Sequence, residues 1–381
     1  MQYILTCPHN TAQIAKKELE ILWYKATIQS STSLSFEWDE AAIARINLNS
    51  RVGNKLFLQL AAGKVATFDD LFELVTTIDW AKYVLPQQPL LIDANTKRHV
   101  LTSVPSIQSI AKKAIVNKLV GNGDDRRDEQ KDITGIDIQI MLDGANGSLG
   151  HVLLNTTWLA LHNRWYRQHA GAAPLKENLA AALVLSSGRK FSTPLIDPFC
   201  GAGTIAIEAA LIAKNIAPGL LRLKNKPDNA FAFQAFSRYD TQYLIDAKTL
   251  AESKIMLTKE HTIIGYDLDE TMIAIARDNA KNAWVDQYVS FKSRDFITER
   301  ELHMTKGAIV TNPPYGERMD SEELYAMYQK LVSLYEDNRD INGGFITSCA
   351  DTLDIIQPSY RKQTLYYNWP LECRFFKIAR L

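Results

Sequence analysis

The tetrapeptide Asn312-Pro313-Pro314-Tyr315 stands out because it directly follows the apolar run 307–311. Two adjacent prolines remove two backbone donors and fix two φ angles, so the strand must end there. The side-chain oxygen of Asn312 and the carbonyl oxygen of Pro313 could accept hydrogen bonds from an exocyclic base amine. That would free the amine lone pair for attack, and Tyr315 could stack on the flipped base. A purely structural corner is the alternative.

A glycine-rich turn, "DPFCGAGT", separates a strand-like run from the helical run 204–213. Gly201 and Gly203 allow a tight turn and close approach of a ligand, and the helix N-terminus offers free N–H groups. The spacing Gly201-x-Gly203-x-x-Ala206 also matches a dinucleotide-binding fingerprint. This match alone is weak, because many such turns are glycine-rich for packing. The turn is therefore a candidate cofactor site.

Acidic residues follow the next two apolar runs. Asp267 ends "TIIGYD", where an acid can accept hydrogen bonds from both ribose hydroxyls. Asp295 could hold an adenine amine, with Phe296 or Tyr266 against the ring. Asp267 lies 66 residues after Gly201, whereas the nicotinamide fingerprint expects roughly 20. The spacing predicts a sizeable insertion.

The charge of Asp197, just before the glycine turn, distinguishes between cofactors. A carboxylate there would repel a pyrophosphate and attract an ammonium group. S-adenosylmethionine has an α-amino group, a sulfonium and no phosphate, so we predict this cofactor over NAD.

The elements around these residues alternate between apolar runs and helical segments from about residue 175. Continuous apolar runs are typical of parallel strands buried on both faces, so we predict a doubly wound, Rossmann-like α/β sheet. The tail from residue 363 predicts an antiparallel C-terminal hairpin. If strand 307–311 lies two places beyond the glycine strand, both open into one crevice. The region before residue 160 reads as small α+β units, with a hairpin over 135–157.

The composition excludes several classes of protein. The 381 residues carry 43 basic and 43 acidic side chains, so contact with a polyanion needs a local patch. Four scattered cysteines form no CxxC pair, so we expect neither a disulfide framework nor a metal. The N-terminus has no signal-peptide pattern, and no apolar run could span a bilayer. We predict a cytoplasmic protein.

The segments "DPFCGAGT", "GYDLD", "SRDF" and "TNPPYG", in that order, resemble class I S-adenosylmethionine-dependent methyltransferases that act on base amino groups. With "LHNRWYRQHAGAAPLKENLAAALV", the chain is most similar to the THUMP-containing RNA guanine-N2 methyltransferases of bacterial 23S ribosomal RNA. The resemblance implies a ferredoxin-like region over 1–60, a THUMP RNA-binding domain over 61–160 and a methyltransferase domain over 161–381. Trp165 departs from the family, which usually has glycine there.

The resemblance also assigns roles to individual positions. The residues expected to bind the cofactor are Asp197, Gly201 and Gly203 at the methionine part, Asp267 at the ribose, Asp295 at the adenine, and Pro174, Leu175 and Lys176 at the pocket border. Those expected to hold the target base are Asn312, Pro313 and Tyr315.

An RNA partner requires local positive charge. The candidates are Lys97, Arg98 and His99 after a strand, Lys112, Lys113 and Lys118 on one helix, and Arg164, Arg167 and His169 at the domain junction. Each is also compatible with ordinary solvated surface. Glu177 and Glu208 have no clear catalytic claim, and we expect them on helix surfaces.

Five functions remain open from the sequence. The favoured one is methyl transfer to guanine N2 in RNA, with 23S ribosomal RNA as the first candidate. A transfer-RNA guanine or an adenine N6 amine would use the same corner. An NAD-dependent oxidoreductase and an RNA-binding module with an inactive fold are the other classes.

Overall fold

The computed structural model of the protein describes residues 1–121, 129–130, 132–145, 148–167, 175–188, 193–256, 262–296, 298, 304, 306–314, 321–337, 340–348, 362–368 and 371–378. These residues form two seven-stranded sheets. One sheet belongs to the N-terminal region and the other to the C-terminal region.

The N-terminal sheet has the strand order β2-β3-β1-β4-β7-β6-β5. Its elements are β1 (Gln2–Thr6), α1 (Ala12–Ile21), β2 (Thr27–Ser30), β3 (Ser33–Glu37), α2 (Ala41–Asn49), β4 (Leu56–Lys64), α3 (Phe68–Thr76), β5 (Leu90–Lys97), α4 (Val104–Val120), β6 (Ile136–Asp143) and β7 (Leu149–Asn155). Strands β6 and β7 pair antiparallel, as the hairpin prediction required. Strand β4 pairs with both β1 and β7, so one sheet runs across the predicted boundary at residue 60.

The C-terminal sheet has the order β10-β9-β8-β11-β12-β14-β13. Its elements are α5 (Glu177–Ser186), β8 (Leu195–Asp197), α6 (Thr204–Ala213), α7 (Pro218–Asn225), α8 (Gln242–Ser253), β9 (Ile263–Asp267), α9 (Glu270–Asn282), β10 (Ser290–Ser293), β11 (Gly307–Thr311), α10 (Ser321–Asp337), β12 (Ile341–Thr347), β13 (Lys362–Asn368) and β14 (Leu371–Ile378). Five strands are parallel, and β14 and β13 are antiparallel, which confirms the predicted fold class.

Strand β11 pairs directly with β8, next to it rather than two places beyond. The expected position was wrong, but direct pairing supports the predicted shared crevice more strongly. Strand β8 has β9 on its other side, so the chain order reverses at β8. Such a reversal opens a crevice at the carboxyl ends of the strands, where ligands of doubly wound sheets bind.

The predicted insertion between Gly201 and Asp267 contains α7 and α8, and it packs on the N-terminal region. Its apolar residues share one core with that region; those of the insertion are Ala217, Leu220, Leu223, Ala230, Phe231, Phe233, Phe236, Ala247 and Ala251. Gly219 lies against α2, where an added Cβ would be 2.5 Å from Leu48 Cα and 2.8 Å from Asn47 O. Glycine is therefore needed for this close helix approach.

Polar contacts join the two regions at two further places. The Arg51 guanidinium donates to the Ile216 carbonyl at 3.0 Å, and the Glu18 carboxylate accepts from the Arg51 and Val52 amides. Burial raises the pKa of Glu18. At a second place, Asn10 Nδ2 donates to the Leu365 carbonyl of β13 at 2.9 Å.

Within the described residues, no single helix is long and apolar enough to cross a membrane. Only α6 and α7 taken together, with a bend of 105° between them, have the length and composition for it.

We predict that Gly219→Ala destabilises the protein by about 1–3 kcal/mol, because the methyl group collides with the backbone of α2. Helix propensity alone predicts the opposite sign, since alanine favours a helix by about 1 kcal/mol over glycine. Denaturant unfolding measures the change. Lys248→Ala, on the exposed side of α8, is the control and should change stability by less than about 0.5 kcal/mol. A more stable Gly219→Ala protein would contradict the close packing.

Candidate active site

The parallel strands end side by side, so several predicted site residues lie at one edge of the C-terminal sheet, around the crevice. Asp197 ends β8, Asp267 ends β9 and Thr311 ends β11. In register, Asp197 lies beside Gly265 of β9, and Ile196 beside Ile309 of β11. The glycine turn leaves the central strand at this edge.

The glycine turn requires both of its glycines. Gly201 has φ +49° and Gly203 has φ +83°, a region that favours glycine. A Cβ at Gly203 would also lie 2.8 Å from the ring of Phe291, whereas Gly201 has no such neighbour closer than 3.9 Å. Asn279 of α9 donates to the Ala202 carbonyl at 3.0 Å from a buried position. Helix α9 thus supports the turn at Ala202, and the Gly201 side of the turn is open enough for a ligand.

The Asp267 carboxylate bonds the turn to the end of β9. Its Oδ2 accepts from the Gly201 amide at 2.8 Å, and its Oδ1 accepts from the Asp269 amide at 3.0 Å. Each oxygen has a second lone pair, which can accept a ribose hydroxyl. Asp269 itself caps α9 by accepting from the Thr271 amide.

Asp197 is the most strongly perturbed acid of the site. Its side chain is 1% exposed, and its Oδ1 accepts from Thr311 Oγ1 at 2.6 Å and from the Phe199 amide at 3.3 Å. Burial raises its pKa to about 7, against the effect of these two donors and with a contribution from the charge of Asp267. A buried carboxylate whose two donors both bond to one of its oxygens is suited to attract a ligand ammonium group.

Thr311 was not identified from the sequence, although it precedes Asn312 directly. Its hydroxyl crosses from the end of β11 to the end of β8 and is fully buried. The Asn312 side chain begins one residue later and is half-buried, and no described residue forms a hydrogen bond with its amide. Pro313 is buried beside it, while Tyr315 lies outside the described residues.

The candidates for contact with the adenine are Asp295, Phe296 and Tyr266. Asp295 is half-buried and accepts from Thr298 at 2.8 Å. Phe296 and Tyr266 are buried in one core cluster, and Phe296 packs edge-on against Phe199 at 4.9 Å. These two rings therefore pack mostly against other protein side chains, whereas the sequence predicted that one of them would lie against the adenine ring.

The border segment is described only from residue 175 onward, so Pro174 lies outside the described residues. The Leu175 carbonyl accepts from Arg167, which links the segment to the turn. Lys176 is half-buried before α5. Its charge lies close enough to help lower the pKa of His162 to about 4, after the larger effect of burial.

Arg164 is buried, so its predicted contact with RNA was wrong, whereas Arg167 is half-buried and bonded within the protein. Arg164 is 1% exposed, and its Nε lies 3.4 Å from Glu208 Oε1, while its other nitrogens donate to the Leu161 and Arg51 carbonyls. Arg167 pairs with Glu177 at 3.3 Å and donates to Thr204 Oγ1 at 3.1 Å.

Glu177 and Glu208 are also buried, at 6% and 0% exposure, rather than on helix surfaces. A buried carboxylate needs a paired cation, and the two arginines supply it. Because one of these arginines contacts the first residue of α6, the network supports the glycine turn from the junction side. The only sequence signal for this network was Glu208, a charged residue at a position of α6 where the helical spacing predicts an apolar one.

The N-terminal basic candidates are mostly at the surface. Lys97, Arg98, Lys112, Lys113 and Lys118 are exposed, although Lys112 pairs with Glu129 at 2.8 Å. His99 is buried: its Nδ1 accepts from the Leu101 amide and its Nε2 faces the Val65 carbonyl. It cannot contact RNA, and His169 lies outside the described residues.

In the described part of the chain, no group of three or more His, Cys, Asp or Glu residues could hold a metal ion. The chemical resources of the crevice are two carboxylates, an open glycine turn and a free amide. These match an uncharged adenosine bearing an ammonium group better than a pyrophosphate.

We predict that the free energy of unfolding falls between pH 4 and pH 7 because of Asp197. Its folded pKa of about 7 lies above the unfolded value of 3.8, so the native state loses stability as this group ionises. Asp197→Asn keeps an acceptor for Thr311 and should be more stable than the native sequence above pH 7, by roughly 2–4 kcal/mol. Below pH 4 the two should converge. Asp286→Asn, at an exposed position, is the control, and parallel pH profiles of Asp197→Asn and the native sequence would contradict the assignment.

Comparison with known proteins agrees with this geometry. Residues 164–360 match the family model of the RMKL-like methyltransferase domain, and residues 65–143 match the THUMP domain. The chain is 35% identical to the Bacillus subtilis RNA methyltransferase YpsC over 87% of this chain and 84% of that protein. It is 30% identical to the ribosomal RNA large subunit methyltransferase K/L of Vibrio cholerae over 98% of this chain. The chain spans only 52% of that relative's length.

A solved structure provides the link to the cofactor. SMU.472, described as a methyltransferase complexed with SAH, superimposes with a TM-score of 0.87 at 27% identity, covering 100% of this chain and 98% of that one. The matched methyltransferase model covers more than half of the chain. The chain therefore belongs to the RMKL-like family of S-adenosylmethionine-dependent methyltransferases and carries a THUMP domain.

Proposed function

We propose that the protein transfers a methyl group from S-adenosylmethionine to the N2 amine of a guanine in RNA, with 23S ribosomal RNA as the substrate. The observation that carries this proposal is the hydrogen bond of 2.6 Å between Thr311 and Asp197. It joins the strand that leads into Asn312 to the strand that leads into the glycine turn. Base corner and cofactor turn are thereby neighbours.

The cofactor supplies an electrophilic methyl group on a sulfonium. On this proposal, Asp197 binds the α-amino group, Gly201 lets the methionine part approach the backbone, and Asp267 accepts the ribose hydroxyls. Asp295 would hold the adenine, and Lys176 would border the pocket. No residue needs to form a covalent bond.

Asn312 and Pro313 would accept the two amine hydrogens of the flipped base. The amine lone pair then points away from the ring and forms the new N–C bond as the C–S bond breaks, and the sulfur keeps the electron pair. The methylated amine then loses its surplus proton. Two fixed acceptors lower the barrier by orientation and electrostatics, since they need no reorganisation during the reaction. Tyr315 would stack on the base.

An RNA substrate is supported by the THUMP match and by the names of the relatives. In this proposal the region 61–160 captures RNA through Lys97, Arg98 and Lys113, which are exposed. The large-subunit assignment follows the K/L relatives, which this chain matches over about half their length. The choice of guanine N2 follows the resemblance of the chain to the guanine-N2 methyltransferases.

Adenine N6 is the second candidate, because its amine presents the same two hydrogens to the corner. Mass spectrometry of nucleosides distinguishes the targets. The protein is incubated with labelled S-adenosylmethionine and either unmodified 23S ribosomal RNA or unmodified transfer RNA. We expect labelled N2-methylguanosine from 23S ribosomal RNA alone; N6-methyladenosine, or label only in transfer RNA, would refute the assignment.

We predict that Asn312→Ala lowers kcat at least about 100-fold while S-adenosylhomocysteine affinity changes less than about threefold. The physical reason is that one of two acceptors of the amine is lost, and one preorganised partner typically contributes about 10²–10³ in rate. Single-turnover kinetics and calorimetry measure the two quantities. Asn225→Ala, on an exposed position of α7, is the control. A variant with full activity would mean that the amine is activated elsewhere.

A further inference from the structure

We propose that the protein has a second RNA-binding surface, a tryptophan–lysine patch that consists of Lys224 and Lys226 of the insertion with Trp165 and Trp284 from outside it. The patch lies outside the region that matches the THUMP domain, and it would contact RNA phosphates between that domain and the crevice. The inference rests on the proposed RNA substrate.

Each lysine of the patch lies on the face of one indole ring. Lys224 Nζ is 4.9 Å from the centroid of Trp284, and Lys226 Nζ is 4.9 Å from that of Trp165. Both lysines are exposed, Trp284 is 36% exposed, and Trp165 is half-buried. The ammonium groups are therefore held in place while their remaining hydrogens face solvent.

The four residues form one surface although they come from three segments of the chain. Asn282 Nδ2 donates to the Tyr166 carbonyl at 3.2 Å. This bond places the segment that contains Trp284 beside the one that contains Trp165. Lys224 and Lys226 are two residues apart and each reaches one ring, which closes the patch.

Both tryptophans occupy a backbone conformation that favours glycine. Trp165 has φ +66° and Trp284 has φ +60°. Trp284 follows α9 in a Schellman motif, in which the Val285 amide donates to the Ala280 carbonyl. A large side chain there costs about 1–2 kcal/mol relative to glycine. The contact that both rings share is the one with a lysine.

The position of the patch indicates its partner. Arg222 of α7 donates to the Thr157 and Leu159 carbonyls just after β7, and its guanidinium lies 5.6 Å from the Trp165 ring. On the other side, Arg167 reaches Thr204 at the glycine turn. RNA that extends from the THUMP region to the crevice would cross this junction.

The charges of the patch fit phosphate groups. Asp228 and Asp286 each follow a patch residue by two positions in the chain, yet within the described residues neither Lys224 nor Lys226 forms an ion pair with a carboxylate. Ammonium groups that are already ordered lose less entropy on binding than free lysines do. A polyanion with closely spaced charges is the partner that gains most from two such groups.

The test is the salt dependence of RNA binding by Lys224→Gln/Lys226→Gln. Dissociation constants for 23S ribosomal RNA and for poly(U) are measured from 0.05 to 0.3 M KCl. We expect the slope of log Kd against log[KCl] to fall by about 1.4 to 1.8, because each lost phosphate contact removes roughly 0.7–0.9. Lys248→Gln, in the same insertion but paired with Glu252 at 3.7 Å, should leave the slope unchanged.

A second variant separates the rings from the charges. Trp165→Leu keeps both lysines but removes one support, so affinity should fall severalfold with an unchanged slope. S-adenosylhomocysteine affinity reports whether each variant is folded. An unchanged slope in the double lysine variant overturns the patch even if methyl transfer to RNA is observed. Polyglutamate is measured as a second polyanion. If the double lysine variant loses affinity for polyglutamate but not for RNA, the proposal is also overturned, because the partner would be an acidic protein. A reduced slope with poly(U) supports the patch even if 23S ribosomal RNA is not methylated.

Discussion

The site depends on one buried hydrogen bond, from the Thr311 hydroxyl to the Asp197 carboxylate. Parallel strands that reverse order leave a gap at their carboxyl ends, and this bond spans the gap from β11 to β8. Burial of Asp197 raises its pKa to about 7, although this bond itself acts to lower the pKa. A carboxylate in that state gains when a cation arrives, so the strain of burial and the affinity for an ammonium ligand have the same origin.

The glycine turn is the second consequence of the same constraint. Asp267 bonds to Gly201, and Asn279 bonds to Ala202, so the turn is held from β9 and α9. From the junction side, Arg167 contacts Thr204 and pairs with Glu177. The turn is therefore fixed before any ligand binds, which is the condition for preorganised binding.

The insertion links this site to the N-terminal region. It shares a hydrophobic core with that region, and Gly219 allows α7 to approach α2 at van der Waals distance. Trp165 shows how the chain tolerates a departure from its relatives: the backbone keeps the left-handed conformation that glycine would favour, and the ring packs beneath Lys226 and beside Arg222. The junction is thus a packed interface, with buried ion pairs, rather than a linker.

The sequence by itself determined the sheet class, the hairpins and the order of the motifs, because apolar periodicity and proline or glycine chemistry act over a few residues. It also identified Asp197, Gly201, Gly203 and Asp267, which the fold does bring to one edge. Only the tertiary structure decided that β11 adjoins β8, that Arg164 and Glu208 neutralise each other in the interior, and that Thr311 bonds to Asp197. Burial and pairing depend on residues far apart in the chain, so a charge that looks like surface in the sequence becomes part of the core once its partner is known.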